Sequence, residues 1–187
     1  VGLNIEQPKD DWDHMLGTLI EETYHRLQIE LCPAAGGGTA TDFSDLTAVD
    51  TGDERYDALY AMITYSMLEG VANLVSGPFA SDDLPGKVEP GSELMSRFVD
   101  EVIEQWGVED VDAFISEGLR NNGPLYGLGW KLASLIEEKS GKQAVVKYQG
   151  MGAVPFFLEG AKIAEDNGEP ILANKVVAAI TILSGKI

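Results

Sequence analysis

The chain has 187 residues, 44% of them apolar, and its 31 acidic and 13 basic side chains give a formal net charge of −18. This length can bury one good hydrophobic core, and the acidic charge argues against a protein that binds nucleic acid phosphates. The single cysteine excludes an intrachain disulfide and a cysteine cage for zinc. No apolar run approaches the roughly 20 residues of a membrane span, and no signal peptide is recognisable.

Apolar residues recur mainly at helical spacing, whereas alternation of β-branched residues is weak. We therefore predict a mainly α fold in which residues 1–187 form a single domain with long loops and little or no sheet. Turn-rich stretches at 33–53 and 76–91 predict the long connections. The predicted helices span residues 12–31, 54–75, 92–106 (closed by Gly107), a short segment capped by Asp110 and ending at Leu119, 124–139, 142–149, 153–166 and 171–184.

The first helix, Trp12–Leu31, is predicted to be amphipathic and to end before Pro33, because proline blocks its continuation. Its apolar residues recur three and four positions apart, which is typical of a face that packs on a core. The residues assigned to this core face are Met15, Leu16, Leu19, Ile20, Tyr24 and Leu27.

The same helix contains the sequence E-E-T-Y-H at 21–25, which is the zinc-peptidase signature H-E-x-x-H with glutamate in place of the first histidine. Positions i and i+4 share a helix face, so Glu21 and His25 can reach one ion together. Glu22 lies one position round the helix, where a zinc peptidase has its general base. The alternative interpretation is a solvated pair of glutamates beside one partly buried histidine.

A second carboxylate of interest lies on the helix predicted over 54–75. Glu69 is flanked by the small residues Gly70 and Ala72, which allow another helix to approach closely. A carboxylate buried in such a contact must be paired, protonated or bound to a metal. The alternative is a glutamate at the margin of a helix contact.

Two glycines fall in the first turns of the helix that begins near Pro124. Gly127 and Gly129 each cost about 1 kcal/mol relative to alanine in a helix. We therefore expect close backbone approach at this end, either for helix packing or for a site.

Three segments in this order resemble zinc-dependent peptidases of the gluzincin type, in particular the DUF5700-like group. They are E-E-T-Y-H at 21–25, L-E-G-V-A at 68–72, and G-P-L-Y-G-L-G-W-K-L-A at 123–133 followed by an acidic, glycine-containing stretch. The resemblance covers most of residues 12–150 and leaves 151–187 as C-terminal helices. It implies a single helical domain built around the catalytic helix of gluzincins.

The resemblance also implies roles for individual residues. His25 and Glu69 are then metal ligands with Glu21 in the altered first-ligand position, Glu22 is the base, and Tyr126 donates its hydroxyl to the developing oxyanion. Zinc is the expected metal, although this oxygen-rich set also suits manganese or iron. The implied substrate is a peptide or protein. Two acidic ligands weaken the metal as a Lewis acid, so we expect weak or no peptidase activity.

Two further interpretations compete with a peptidase. Glu22 and His25 also fit the Glu-x-x-His module of ferritin-like carboxylate metal proteins. Such sites need a second module, and the only other histidine, His14, follows Asp11 at this spacing rather than a glutamate. The other interpretation is a non-catalytic helical binding or scaffold protein that retained the peptidase fold. Crowded carboxylates at 21, 22 and 69 are then expected to share protons.

Overall fold

The computed structural model describes residues 10–32, 40–105 and 111–187. Within these ranges the regular structure is entirely helical, and the predicted mainly α character is confirmed. The described helices are α1 (Asp10–Leu31), α2 (Phe43–Thr47), α3 (Glu54–Ser76), two 3₁₀ turns (Gly77–Phe79 and Leu84–Lys87), α4 (Val88–Phe98), a π-helical continuation (Val99–Glu104), α5 (Val111–Leu119), α6 (Pro124–Ser140), α7 (Lys142–Met151), α8 (Ala153–Asp166) and α9 (Asn174–Ser184).

The long helix α3 is the centre of the molecule. Asp53 caps its start by accepting from the backbone N–H of Arg55, and Gly77 ends it with a positive φ of 56°. One face of α3 is buried in the core. The apolar side chains at less than 2% exposure on this helix are Leu59, Met62, Ile63, Met67, Leu68, Val71 and Ala72.

Helix α6 packs on α3 with almost no side chain between the two backbones. A Cβ added to Gly129 would lie 1.7 Å from the carbonyl oxygen of Ser66, and one added to Gly70 would lie 2.1 Å from the carbonyl carbon of Gly129. The Ser66 hydroxyl donates to the carbonyl of Leu125 at 2.8 Å. The close approach expected at this end of α6 is therefore a helix packing contact, which only glycine permits.

The remaining helices enclose this pair. Phe98 of α4 and Phe156 and Phe157 of α8 are fully buried, and α9 packs on α8. The α1 helix lies against α3 and the 3₁₀ turn Gly77–Phe79, where a Cβ on Gly17 would meet the carbonyl oxygen of Phe79 at 2.4 Å. This contact holds the turn after α3 beside the first half of α1.

Several predicted boundaries are wrong. The predicted connection 76–91 contains two 3₁₀ turns and the first turn of α4. Helix α4 can begin before Pro90 because proline is tolerated in the first turn of a helix, where its missing N–H is not needed. The predicted loop 33–53 contains α2, which Asp42 caps. Helix α9 begins at Asn174 rather than 171. The predictions at Pro33, Gly107 and Asp110 fall outside the described residues.

The predicted core face of α1 is also wrong in its principal members. Leu16, Leu19 and Leu27 are 40%, 57% and 47% exposed, whereas Gly17 and Gln28 are the buried positions of the helix. The other three predicted residues, Met15, Ile20 and Tyr24, are partly buried, and Tyr24 packs against the core. The periodicity identified the helix correctly, but half of the predicted apolar face lies on the side away from the core.

One helical stretch within the described ranges, Glu54–Phe79, is long and apolar enough to cross a membrane, with a mean hydropathy of 1.2 over its best window. This helix meets the criterion by length and composition only. Of this window 72% is buried inside the protein, as in the central helix of a globular core.

Candidate functional site

A cavity of about 560 Å³ opens between the middle of α1, Glu69 of α3, the turn after α3 and the start of α6. All five residues singled out from the sequence line it. They arrive from three helices that are far apart in the chain. Its complete lining is Asp13, Thr18, Glu21, Glu22, His25, Glu69, Pro78, Phe79, Ala80, Ser81, Asp82, Asn122 and Tyr126.

The His25 imidazole is held by a chain of hydrogen bonds anchored in the core. The fully buried Gln28 donates from Nε2 to the carbonyl of Leu68 at 2.9 Å, which fixes the orientation of its amide. Its Oε1 then lies 2.7 Å from Nδ1 of His25. Because an amide oxygen only accepts, Nδ1 must carry the proton of the imidazole.

The other ring nitrogen of His25 faces a carboxylate. Nε2 lies 3.2 Å from Oε2 of Glu69, and the two side chains are only 14% and 16% exposed. A neutral ring with its proton on Nδ1 presents a lone pair to the carboxylate, so two acceptors would face each other. The contact is favourable only with a proton or a cation between Nε2 and Oε2.

The pKa of His25 reflects this geometry. Burial is the largest single influence and lowers the pKa, but the hydrogen bond and charge of Glu69, the hydrogen bond of Gln28 and the charge of Glu22 together raise it above its ordinary 6.5. A proton on Nε2, between the ring and Glu69, makes His25 an imidazolium, and these contacts favour that charged form.

Helix α2 supplies the wall behind the imidazole. The ring of Phe43 meets the ring of His25 edge to face, with centroids 5.0 Å apart and an interplanar angle of 85°. This contact restricts rotation of the imidazole and excludes water from one side of it. The predicted loop thus contributes a structural element to the site.

Tyr126 enters the cavity from the first turn of α6. The preceding turn places Asn121 and Asn122 at φ values of 55° and 52°, a conformation that asparagine tolerates better than most residues. Burial is the main cause that raises the pKa of Tyr126, and the charge and hydrogen bond of Glu69 add to it, followed by the charges of Glu21 and Glu22. The phenol stays protonated at neutral pH and acts as a hydrogen-bond donor.

The predicted metal ligands come together only in part. His25 and Glu69 are in contact, and Glu21 lines the same cavity. Within the described residues, however, no group of three or more His, Cys, Asp and Glu side chains has its donor atoms close enough to hold a metal ion. The pair is therefore observed, whereas Glu21 does not complete a three-ligand cage with it.

The donor chemistry of the pair fits a divalent cation. Two ligand atoms at about 2.1 Å from a tetrahedral ion lie about 3.4 Å apart, close to the 3.2 Å between Nε2 and Oε2. A protein acceptor on Nδ1, here Gln28, is also typical of histidines that bind metal through Nε2. Glu21 and Glu22, which line the same cavity, provide further oxygen donors at its wall.

The cavity is strongly acidic. Five of its lining residues are carboxylates and none is lysine or arginine. Carboxylates grouped around a partly enclosed volume favour cations there, since mutual repulsion is relieved by a proton or a metal. The lining residues that complete this set are Asp13 and Asp82 with Glu21, Glu22 and Glu69.

Sequence reasoning missed Gln28, Phe43 and Asn122. The sequence could have indicated Gln28, because it lies three positions after His25 and therefore on the same helix face. Phe43 and Asn122 had none, since their places depend on how α2 and the turn before α6 pack in three dimensions.

Comparison with protein-family models, curated proteins and solved structures finds no match for this chain.

Proposed function

We propose that this protein is a homologue of zincin-like metallopeptidases, with a hydrolytic site of reduced competence in the α1–α3–α6 cavity. The observation that carries the proposal is the His25–Glu69 pair. Its Nε2 and Oε2 atoms face each other at 3.2 Å, while Gln28 occupies Nδ1. This arrangement leaves one position between two donor atoms that a proton or a divalent cation fills.

His25 and Glu69 would hold the cation, and Glu21, which lines the same cavity but does not complete a three-ligand group with them, would add an oxygen only by moving toward the ion. Zinc is the first choice, and manganese and iron suit the same set of ligands. A cation bound there would polarise a peptide carbonyl and acidify a water molecule. Because Glu21 and Glu69 both donate anionic oxygen, this activation is weaker than in a site with two histidines.

Two residues of the chain would move or hold protons in the reaction. Glu22 lines the cavity one position from Glu21 and is exposed, so its carboxylate can take a proton from a water molecule in the cavity. Tyr126 keeps its proton because its pKa is raised, and it donates a hydrogen bond to the oxyanion that develops on the attacked carbonyl.

A second function is favoured by one specific observation. Since the described residues contain no three-ligand group, the cavity also fits a non-catalytic binding protein in which a proton joins His25 to Glu69. In that case the fold of the peptidase is kept and the cation is lost. Metal content distinguishes the two functions.

The decisive experiment combines metal analysis with hydrolysis. Untagged wild-type protein is analysed for bound metal, and its zinc-loaded form is incubated with an unstructured protein such as casein. We expect about one metal per chain and slow hydrolysis, with both retained in Glu30→Gln, an exposed control on the same helix. Glu22→Gln is expected to keep the metal and lose hydrolysis by about 100-fold or more.

The proposal fails if the wild type binds no zinc, manganese or iron and cleaves nothing. Metal binding without hydrolysis, unchanged by Glu22→Gln, would support the non-catalytic function. Loss of metal in His25→Gln, but not in His14→Gln, assigns the bound ion to this cavity.

A further inference from the structure

The outward face of α1 exposes a row of large apolar side chains. We call this surface the α1 stripe. Its five members are between 40% and 57% exposed, although leucine and tryptophan usually seek burial. They are Trp12, Leu16, Leu19, Leu27 and Leu31.

The exposed large apolar side chains are concentrated on this surface and not scattered over the protein. Of the ten large apolar side chains that the described residues leave exposed, five belong to the α1 stripe. Together they present on the order of 400 Å² of apolar surface, comparable with the largest patch on a typical monomer, which is often functional. Thr23 lies in the middle, and its hydroxyl donates to the carbonyl of Leu19 at 2.7 Å. It can therefore be covered without losing a hydrogen bond.

The stripe cannot turn inward, because polar contacts fix the opposite face of α1. Gln28 is fully buried between His25 and the carbonyl of Leu68. The hydroxyl of Tyr24 donates to Oε1 of Gln149 on α7 at 2.8 Å. Rotation of the helix would break these bonds to bury the leucines, so the stripe remains available to another molecule.

Charge decides what kind of molecule fits. Asp13, Glu22 and Glu30 are exposed on α1, and Arg26 is the one lysine or arginine of this helix. The whole chain carries a net charge of −18. A second copy would bring like charges together, whereas basic side chains beside the stripe would be attracted.

We propose that the α1 stripe docks an amphipathic helix of a partner protein whose apolar face is flanked by lysine and arginine. Leu19, Thr23, Leu27 and Leu31 form a ridge at spacing four, which packs against a second helix at about 50°. The partner's leucine-type side chains fill the grooves beside this ridge, and its basic residues face Glu30. This docking is independent of the proposed hydrolytic function.

The test uses a model peptide of about 18 residues in which leucines recur three and four positions apart, as on one face of a helix, and lysines occupy the other positions. A scrambled peptide of the same composition keeps the charge and removes the apolar face. Binding to the full chain is measured by calorimetry at 150 mM salt, with Trp12 fluorescence as a second signal. We expect the periodic peptide to bind and the scrambled peptide to bind at least about tenfold more weakly.

Variants then locate the binding surface. Leu19→Ser/Leu27→Ser is expected to weaken binding of the periodic peptide by about tenfold or more, since both side chains lose apolar contact. Val75→Ser/Val146→Ser is the matched control, because these residues are each 48% exposed and lie outside the stripe. The control is expected to bind as the wild type does.

Three outcomes overturn the proposal. Equal binding of the periodic and scrambled peptides would show attraction by charge alone. Unchanged binding in Leu19→Ser/Leu27→Ser would place the peptide elsewhere. A wild-type dimer in sedimentation that this double variant disperses would identify a second copy as the occupant.

Discussion

Helices α3 and α6 pack backbone against backbone, whereas α1 buries Gln28 and exposes its leucines to solvent. At the α3–α6 contact the available space decides which residue fits, since a side chain at Gly129 would collide with the backbone of Ser66. In α1, Gln28 is buried to hold His25 at Glu69. Tyr24 and Ile29 of α1 pack against the core, but the helix also buries an amide that holds the histidine, and the site is the best explanation of that polar burial.

The largest loss of unfolding free energy is expected from a substitution at the α3–α6 contact. In Gly129→Ala the new Cβ collides with the Ser66 carbonyl, which belongs to the backbone and cannot rotate away. We expect a loss of about 3 kcal/mol or more in unfolding free energy, or failure to fold. The measurement is urea unfolding followed by circular dichroism.

Gly86→Ala is the matched control for this variant. A Cβ at Gly86 meets no atom within 4 Å, so its unfolding free energy should stay within about 0.5 kcal/mol of the wild type. Equal stability of Gly129→Ala and Gly86→Ala would contradict the packing of α3 against α6.

Two leucines, one in each region, test the same difference between α3 and α1. Leu59 of α3 is fully buried and Leu19 of α1 is 57% exposed. Leu59→Ala should cost about 3–5 kcal/mol of unfolding free energy, and Leu19→Ala should change it by less than about 0.5 kcal/mol. A large loss in Leu19→Ala would mean that α1 buries its apolar stripe in solution.

The next prediction concerns the pH dependence of the site. Burial is the largest influence and lowers the pKa of His25, and Glu69 is the first of the groups that together raise it, so Glu69→Gln should lower this pKa. Since the folded-state pKa is raised in the wild type, the pair stabilises the fold fully below about pH 6.5, and this contribution is lost as the pH rises through the folded-state value. The measurement is an NMR titration of the imidazole signals, with those of His14 as the reference.

An unchanged His25 pKa in Glu69→Gln would show that the contact at 3.2 Å does not persist in solution. Stability measured against pH gives an independent check. Wild type and Glu69→Gln should differ most below about pH 6.5 and converge as the pH rises through the folded-state pKa of His25.

The smallest effect is expected at Cys32. This thiol is 5% exposed, and burial raises its pKa to about 11. It should react with iodoacetamide at pH 8 far more slowly in the folded protein than in urea. Equal rates, measured by mass spectrometry, would show that the end of α1 opens readily.

The sequence predicted α1, α3, α6 and α8 closely, because long helical periodicity with caps and stops is a strong local signal. It predicted that His25 and Glu69, 44 positions apart, are ligands of one metal; the structure brings the two side chains into contact, and the metal stays a prediction. It assigned Leu16, Leu19 and Leu27 to the wrong environment, since periodicity identifies an apolar face but not what that face meets.

The rest of the site depended on packing between distant segments. Phe43 meets His25 edge to face across a contact between separate helices, and no local pattern near Phe43 indicates this. The π-helical continuation after Phe98 also has no recognisable signal in the sequence.

The most direct measurement is the nitrogen-15 NMR signal of the His25 ring during addition of zinc to the untagged protein. We predict that Nε2 shifts to the position of a metal-bound nitrogen at about one equivalent, while Nδ1 keeps its proton and its hydrogen bond to Gln28. No shift of Nε2 in excess zinc, manganese or iron would contradict a cation site between His25 and Glu69.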